Sequence, residues 1–154
     1  MEVLILVNGR FSGRDPLLSH PGVRVLHLPW EGHGTTRQRG VKLAKAPYVL
    51  FSVDDAIPTN SFVARSLIES VEQQQFLAVW ARQLPWPHSD GVTRQRLQQW
   101  CPPGEVAVPS EKLDHVAALY RRKTLLEFPL DPVPIAEDWH WARKHPGRIG
   151  YVPQ

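Results

Sequence analysis

The chain has 154 residues, 42% of them hydrophobic and 21% charged, which suits one soluble domain able to bury a core. Its net charge of +3, from 18 Lys+Arg against 15 Asp+Glu, is not concentrated in a basic run, so it gives no preference for nucleic acid over a small anionic ligand. The single cysteine, Cys101, excludes an internal disulfide and a multi-cysteine zinc site, and no apolar stretch approaches the ~18–20 residues of a membrane span.

In chain order, Val3 to Val7 is a continuous aliphatic run ending in Asn-Gly. It reads as a buried strand followed by a turn. With an acid at position 2 and so short an apolar run, the start is not a secretory signal, and a cytoplasmic setting is the default. Val23 to Leu28 alternates as a less buried strand does. Thr35 to Ala46 carries an apolar stripe among Arg37, Arg39, Lys42 and Lys45, a helix that starts at Gly34 or Thr35 and that Pro47 ends.

Tyr48 to Val53 is the most hydrophobic run and reads as a central strand, breaking abruptly into Asp54-Asp55. After Pro58, Thr59 or Asn60 is placed to cap a helix with Phe62, Val63, Leu67, Ile68 and Val71 on one face. Phe76 to Ala81 predicts a further strand. Gln83 to Pro109 is irregular, with a short helix near Arg94 to Trp100. Leu113 to Tyr120 predicts a strand, Arg122 to Phe128 and Ala136 to Lys144 helices, and Ile149 to Val152 a last strand. This alternation predicts an α/β fold, a mostly parallel sheet with helices on both faces. Ligands bind such sheets at the carboxyl ends of the strands.

Asp54-Asp55, at one such end, fits two accounts. Adjacent carboxylates suit Mg²⁺ or Mn²⁺, which takes one or two of them and completes its shell with phosphate and water. They also suit a loop that caps the next helix. Glu137-Asp138 likewise fits either acids favoured by a helix dipole or a general base with its neighbour. Gly32 to Gly40 (GHGTTRQRG) has the flexible backbone and guanidinium groups that suit phosphate at a helix start, or is simply a solvated start. It is not a P-loop, lacking Gly-Lys-Ser/Thr. His140 and His145 are five apart, off the face that a helical two-histidine metal site uses, and no nucleophile elbow is present. Six tryptophans could stack on sugars or fill the core.

Taken in order, GHGTTRQRGVKLAKAPYVLFSVDDAIP resembles the central stretch of family 2 glycosyltransferases of the GT-A fold. LAVWARQLPWPHSD is similar to the "G-R-Q-x-P-x-P" segment of their rhamnosyltransferase-like branch, and VAALYRRKTLLEFPLDPVPIAEDWHWARK to its "YRR … EDxxWA-R" run, with RIGYVP as the next strand. The resemblance spans Val3 to Pro153 and implies a single glycosyltransferase-like domain over residues 1–154.

It further implies that Asp55 ligates a metal bridging the donor diphosphate, with Asp54 beside it and Arg37 near the diphosphate. Asp138, supported by Glu137, would be the base of an inverting transfer, with Gln83 and Arg82 beside the sugar or acceptor. Arg121 and Arg122 would be structural or on the acceptor side. The partners implied are a nucleoside-diphosphate sugar and a saccharide or lipid-linked acceptor, the latter bringing the protein to a membrane surface.

The chain departs from the pattern in several places. Val53 stands where many relatives have the first Asp of Asp-x-Asp, and Gln38 where they have Asn. Val7-Asn8-Gly9-Arg10 stands in place of an acidic base-contacting motif. The family's first strand and helix, and its C-terminal metal-binding His, have no counterpart. These departures keep a second class in view, a non-catalytic glycosyltransferase-like domain acting as a binding module. A basic nucleic-acid binder ranks third.

Overall fold

The computed structural model describes residues 2–9 and 16–153. Along the chain they form β1 (Val3–Asn8), a 3-10 turn (Pro16–Ser19), β2 (Val23–Leu28), α1 (His33–Leu43), β3 (Tyr48–Ser52), α2 (Val63–Gln74) and β4 (Ala78–Ala81). There follow α3 (Gly91–Trp100), β5 (Val108–Ser110), β6 (Ala117–Arg121), α4 (Arg122–Glu127), α5 (Glu137–Lys144) and β7 (Ile149–Val152). Among the described residues no helix is long and apolar enough to cross a membrane.

The α/β architecture holds, but strand directions are more mixed than the alternation of elements implied. β1 and β2 form a parallel pair, while the larger sheet has the order β3-β6-β4-β7-β5. In it β4 and β7 are parallel, and β6 runs antiparallel to both β3 and β4, as β5 does to β7. Hydrophobic patterning specifies which face a strand residue takes; it is silent on the direction of the neighbouring strand. For the same reason β3 is not central. It lies at one end of the five-stranded sheet, with Leu50 41% exposed, and β4 holds the middle. β5 carries no strand signal in the sequence: Val108–Ser110 is three residues long with a proline inside, a composition that only a sheet's edge accepts.

Successive residues alternate between two cores. Phe51, Ala78, Trp80, Ala118, Tyr120, Ile149 and Tyr151 meet Val41 of α1, Leu125 of α4 and Trp141 of α5 on one face. Val79, Ala81, Leu119 and Val152 meet Leu67 and Val71 of α2 on the other. Cys101 lies in the first core, and burial pushes its thiol up from the usual range, consistent with a small apolar filler. Two arginines stitch helix ends to the sheet. Arg121 donates to the Val71 carbonyl in the last turn of α2 and to the Phe76 carbonyl beyond it, and Arg122 to the Val41 and Lys42 carbonyls at the end of α1. Both are structural, satisfying carbonyls that a helix end leaves open.

β3, β4 and β7 run in one direction, so their carboxyl ends share an edge with the start of β6. Glu2, before β1, accepts from the Lys45 and Ala46 backbone N–H groups just ahead of β3, at 2.5 and 3.2 Å. β1 and β2 therefore point toward the same carboxyl edge.

The start of α1 is wedged against the segment before α5. Gly32 has φ of 89° and Gly34 abuts the Asp131 carbonyl, where an added Cβ would lie 1.8 Å from the oxygen. Gly34→Ala is therefore expected to cost about 2–3 kcal/mol through overpacking, whereas Gly91→Ala, with nothing within 4 Å, should be neutral. Urea denaturation of both variants checks this, and equal midpoints would refute it.

Candidate functional site

At the carboxyl edge, α5 begins on a non-glycine residue in the left-handed region, Ala136, at φ 62°. Such strain persists only where surrounding contacts enforce it, and it gathers at functional sites. The turn aims Glu137 inward and leaves Asp138 half-buried at the rim. Glu137, 1% exposed, accepts from the Arg37 guanidinium of α1 and from His115, whose Nδ1 is 2.9 Å from Oε1. A carboxylate only accepts, so Nδ1 carries the imidazole proton; Nε2 then accepts from the Tyr120 hydroxyl at 2.7 Å. Phe51 of β3 packs on the same imidazole, with ring centroids 4.6 Å apart.

Burial biases the charges of this network. Burial holds the His115 imidazole well below its ordinary value, and Arg37 reinforces this. Burial likewise pushes the Tyr120 phenol well up. Burial lowers the Arg37 guanidinium, with Asp138 opposing the shift. Arg37 balances Glu137, so a neutral His115 leaves the buried charge compensated.

Asp138 is oriented by two backbone donors. Its Oδ2 accepts from the His115 N–H at 3.1 Å and its Oδ1 from the Trp139 N–H at 2.8 Å. Each oxygen keeps a further lone pair for a proton. Gln83, just beyond β4, donates to Asp114 Oδ2 at 2.7 Å, and Asp114 Oδ1 accepts from Val116. The structure thus joins Arg37, Glu137 and Asp138 through His115, and sets Gln83 on its neighbour Asp114. Among the described residues, Glu137 Oε2 and the Nε of Arg82 are buried without a hydrogen-bond partner. Native structures rarely leave such groups unpaired away from functional sites.

Asp54 and Asp55 stand apart. Both are exposed in the turn after β3, and neither makes a side-chain hydrogen bond or ion pair among the described residues. They do not cap the following helix. α2 starts at Val63 with no side-chain cap, and Asn60 Oδ1 accepts from the N–H of Phe62 immediately before it. Among the described residues no group of three or more His, Cys, Asp or Glu gathers.

Two expectations for the Gly32–Gly40 stretch change. The first N–H groups of α1, at His33 and Gly34, donate to the Pro134 and Val133 carbonyls at 2.9 and 3.2 Å, so they do not point to a free ligand. Gln38 is a brace, donating to the Leu125 carbonyl and accepting from the Leu130 N–H at 3.0 Å each. Arg10, from the departed acidic motif, lies outside the described residues. His115 is the residue that sequence reading missed, since a lone histidine ahead of a strand carries no spacing signal.

The charge state carries a consequence for stability. An unfolded histidine takes up a proton below about pH 6.5, and folded His115, held lower by burial, takes one up only at more acid pH. The unfolded state then binds more protons, so stability falls as pH drops below that value, by up to about 1.4 kcal/mol per pH unit for one group. His115→Gln should flatten this component in urea titrations from pH 5 to 8; an unchanged slope would assign it elsewhere. Arg37→Met, which leaves the Glu137 charge buried alone, is expected to lose about 3–5 kcal/mol, and Arg37→Met with Glu137→Gln should recover most of it.

No family model and no curated protein matches the chain. Solved structures do. TarS of S. aureus in complex with UDP-GlcNAc superposes with a TM-score of 0.66 at 18% identity, over 99% of this chain and 47% of TarS. GalNAc-T7 with UDP, GalNAc and Mn²⁺ gives 0.65 at 14% identity, covering 99% of this chain and 36% of that one. The mannosyltransferase PcManGT from Pyrobaculum calidifontis, with GDP-Man and Mn²⁺, gives 0.67 at 14%, covering 99% and 47%. The chain thus spans about half the length or less of these structures. Their common architecture, laid over nearly every residue here, shows that this chain has the α/β fold of GT-A glycosyltransferases.

Proposed function

We propose that the chain carries the transfer centre of a metal-assisted, inverting glycosyltransferase, moving a sugar from a nucleoside-diphosphate sugar to an acceptor hydroxyl. The observation that carries this reading is the pair of uncommitted carboxylates, Asp54 and Asp55, on the same sheet edge as the oriented Asp138. Fold likeness to structures holding UDP-sugar or GDP-Man with Mn²⁺ supports it.

The donor set suits Mg²⁺ or Mn²⁺. Asp55 and Asp54 offer hard oxygens without a preformed cage, which fits an ion that arrives with the diphosphate and takes its other ligands from phosphate and water. Such an ion supplies positive charge to the departing diphosphate. Arg37 has guanidinium donors beyond the one held by Glu137 and serves the diphosphate side. Asp138 takes the proton of the acceptor hydroxyl while that oxygen bonds to the anomeric carbon and the carbon–oxygen bond to the diphosphate breaks with its electron pair. Glu137 is too deeply buried to touch an acceptor; it positions Arg37 and His115, whose backbone N–H orients Asp138. Arg82 and Gln83 sit beside the sugar or acceptor. A rhamnose donor and a lipid-linked acceptor at a membrane surface belong to the branch resemblance within this proposal.

A second reading, a non-catalytic binding module, draws on the commitment of Arg37 to Glu137 and of the α1 N–H groups to backbone carbonyls. Calorimetry with UDP, GDP and dTDP in Mn²⁺ separates the cases. A nucleoside diphosphate should bind, with Asp55→Ala weakening it about tenfold or more. Asp138→Asn should keep that affinity while lowering transfer about 10²–10⁴-fold. Absence of nucleotide binding, or indifference to Asp55→Ala, sinks the transfer reading.

A further inference from the structure

α3 stands out from the core. None of its residues is fully buried, and only Leu97 and Trp100 are half-buried. Asp90 caps it, accepting from the Thr93 N–H at 2.9 Å, so the helix is well made although little packs beneath it. Its wall and the turn before β6 enclose a shallow groove of about 460 Å³, lined by Arg96, Leu97, Gln99, Trp100 and Lys112. Both charged residues in that lining are cationic, and neither forms an ion pair among the described residues.

The groove is built rather than incidental. Lys112 holds its ammonium 4.1 Å from the Trp100 ring centroid. Ser110 clamps the turn that carries it, bonding both the Lys112 carbonyl and its N–H at 3.0 Å, while the Trp80 indole donates to the Ser110 hydroxyl at 3.2 Å. Trp100 in turn lies parallel to Trp139, with centroids 6.3 Å apart and planes within 3°. Trp139 is 52% exposed and directly follows Asp138. An indole left half in water, stacked on a second indole that carries a cation, presents the two chemistries that an acidic sugar needs: a flat apolar face for its C–H surface and positive charge for its anion.

The geometry points to an acceptor subsite for an anionic saccharide, its ring on Trp139, its carboxylate or phosphate toward Lys112 and Arg96, and a hydroxyl toward Asp138. The acceptor role rests on the transfer reading; the binding chemistry does not. Carboxylate and phosphate share this recognition, and the test separates them. A single-stranded nucleic acid also combines rings with negative charge. The groove is short, and its Trp100 wall stacks on the residue that follows Asp138 in α5, on a glycosyltransferase fold; this favours a saccharide.

The test uses the purified chain on an array of uronate-bearing, phosphate-bearing and neutral oligosaccharides, followed by tryptophan-fluorescence titration of the best binder, without nucleotide. Binding to at least one anionic class is expected, with its neutral counterpart about tenfold weaker or worse, on the scale of one lost charge-assisted contact. Trp139→Ala should abolish binding, and Arg96→Ala with Lys112→Ala should erase the preference for charge, while far-ultraviolet circular dichroism stays unchanged. Equal binding of neutral and anionic sugars, no saccharide binding, indifference to Trp139→Ala, or tighter binding of a mixed oligonucleotide would each overturn the proposal. Saccharide binding that obeys these rules while UDP, GDP and dTDP fail to bind would remove the transfer reading and leave the groove standing as a saccharide site.

Discussion

One buried carboxylate organises this molecule. Glu137 gathers a guanidinium from α1 and an imidazole from the approach to β6, and it is itself delivered by the strained turn at Ala136. An unpaired charge at such depth costs several kcal/mol (~3–5 when one partner is removed), so the three segments must arrive together. Their arrival aligns the His115 backbone N–H on Asp138 and sets Phe51, at the end of β3, against the imidazole. The geometry of the rim is thus a consequence of electrostatics beneath it.

The same constraint divides the edge into committed and free groups. Arg37, His115, Gln38 and the first N–H groups of α1 have protein partners. Asp54 and Asp55 make no side-chain bond among the described residues, and Trp139, stacked on Trp100, keeps half of its surface exposed. Evolutionarily costly arrangements at functional sites usually look this way, rigid underneath and unsatisfied at the face that meets a ligand. In the proposed reading, Asp54-Asp55 serve the diphosphate–metal side and Trp139 the acceptor side of Asp138.

Legibility varied with the kind of signal. α2 was readable because Val63, Leu67 and Val71 repeat at helical spacing, and β7 was readable to the residue because all four of its residues are buried. Asp54-Asp55 resisted local reading: its two accounts differ only in whether a backbone N–H lies nearby, and three-dimensional proximity decides that. Helix α1 misled for a related reason. Its glycines suit a phosphate loop in the abstract, yet here they let the backbone approach the Asp131 and Val133 carbonyls, an event about 100 residues away in sequence. His115 had no motif at all, because its partners, Glu137 and Tyr120, lie at unrelated spacings.

Local chemistry in the chain was sufficient for the α/β class, most element positions and the pairing of Glu137 with Asp138 as adjacent acids at a helix start. The ordered motifs also pointed to the glycosyltransferase fold that the structural likenesses show. Tertiary structure alone decided the antiparallel course of β6, the place of β3 at the sheet's end, and which of the two acids goes inward. Periodicity encodes the face a residue takes, and that is a property of single elements. Strand direction, burial of a charge and the identity of its partner are properties of pairs of elements brought together from far apart, and only packing creates them.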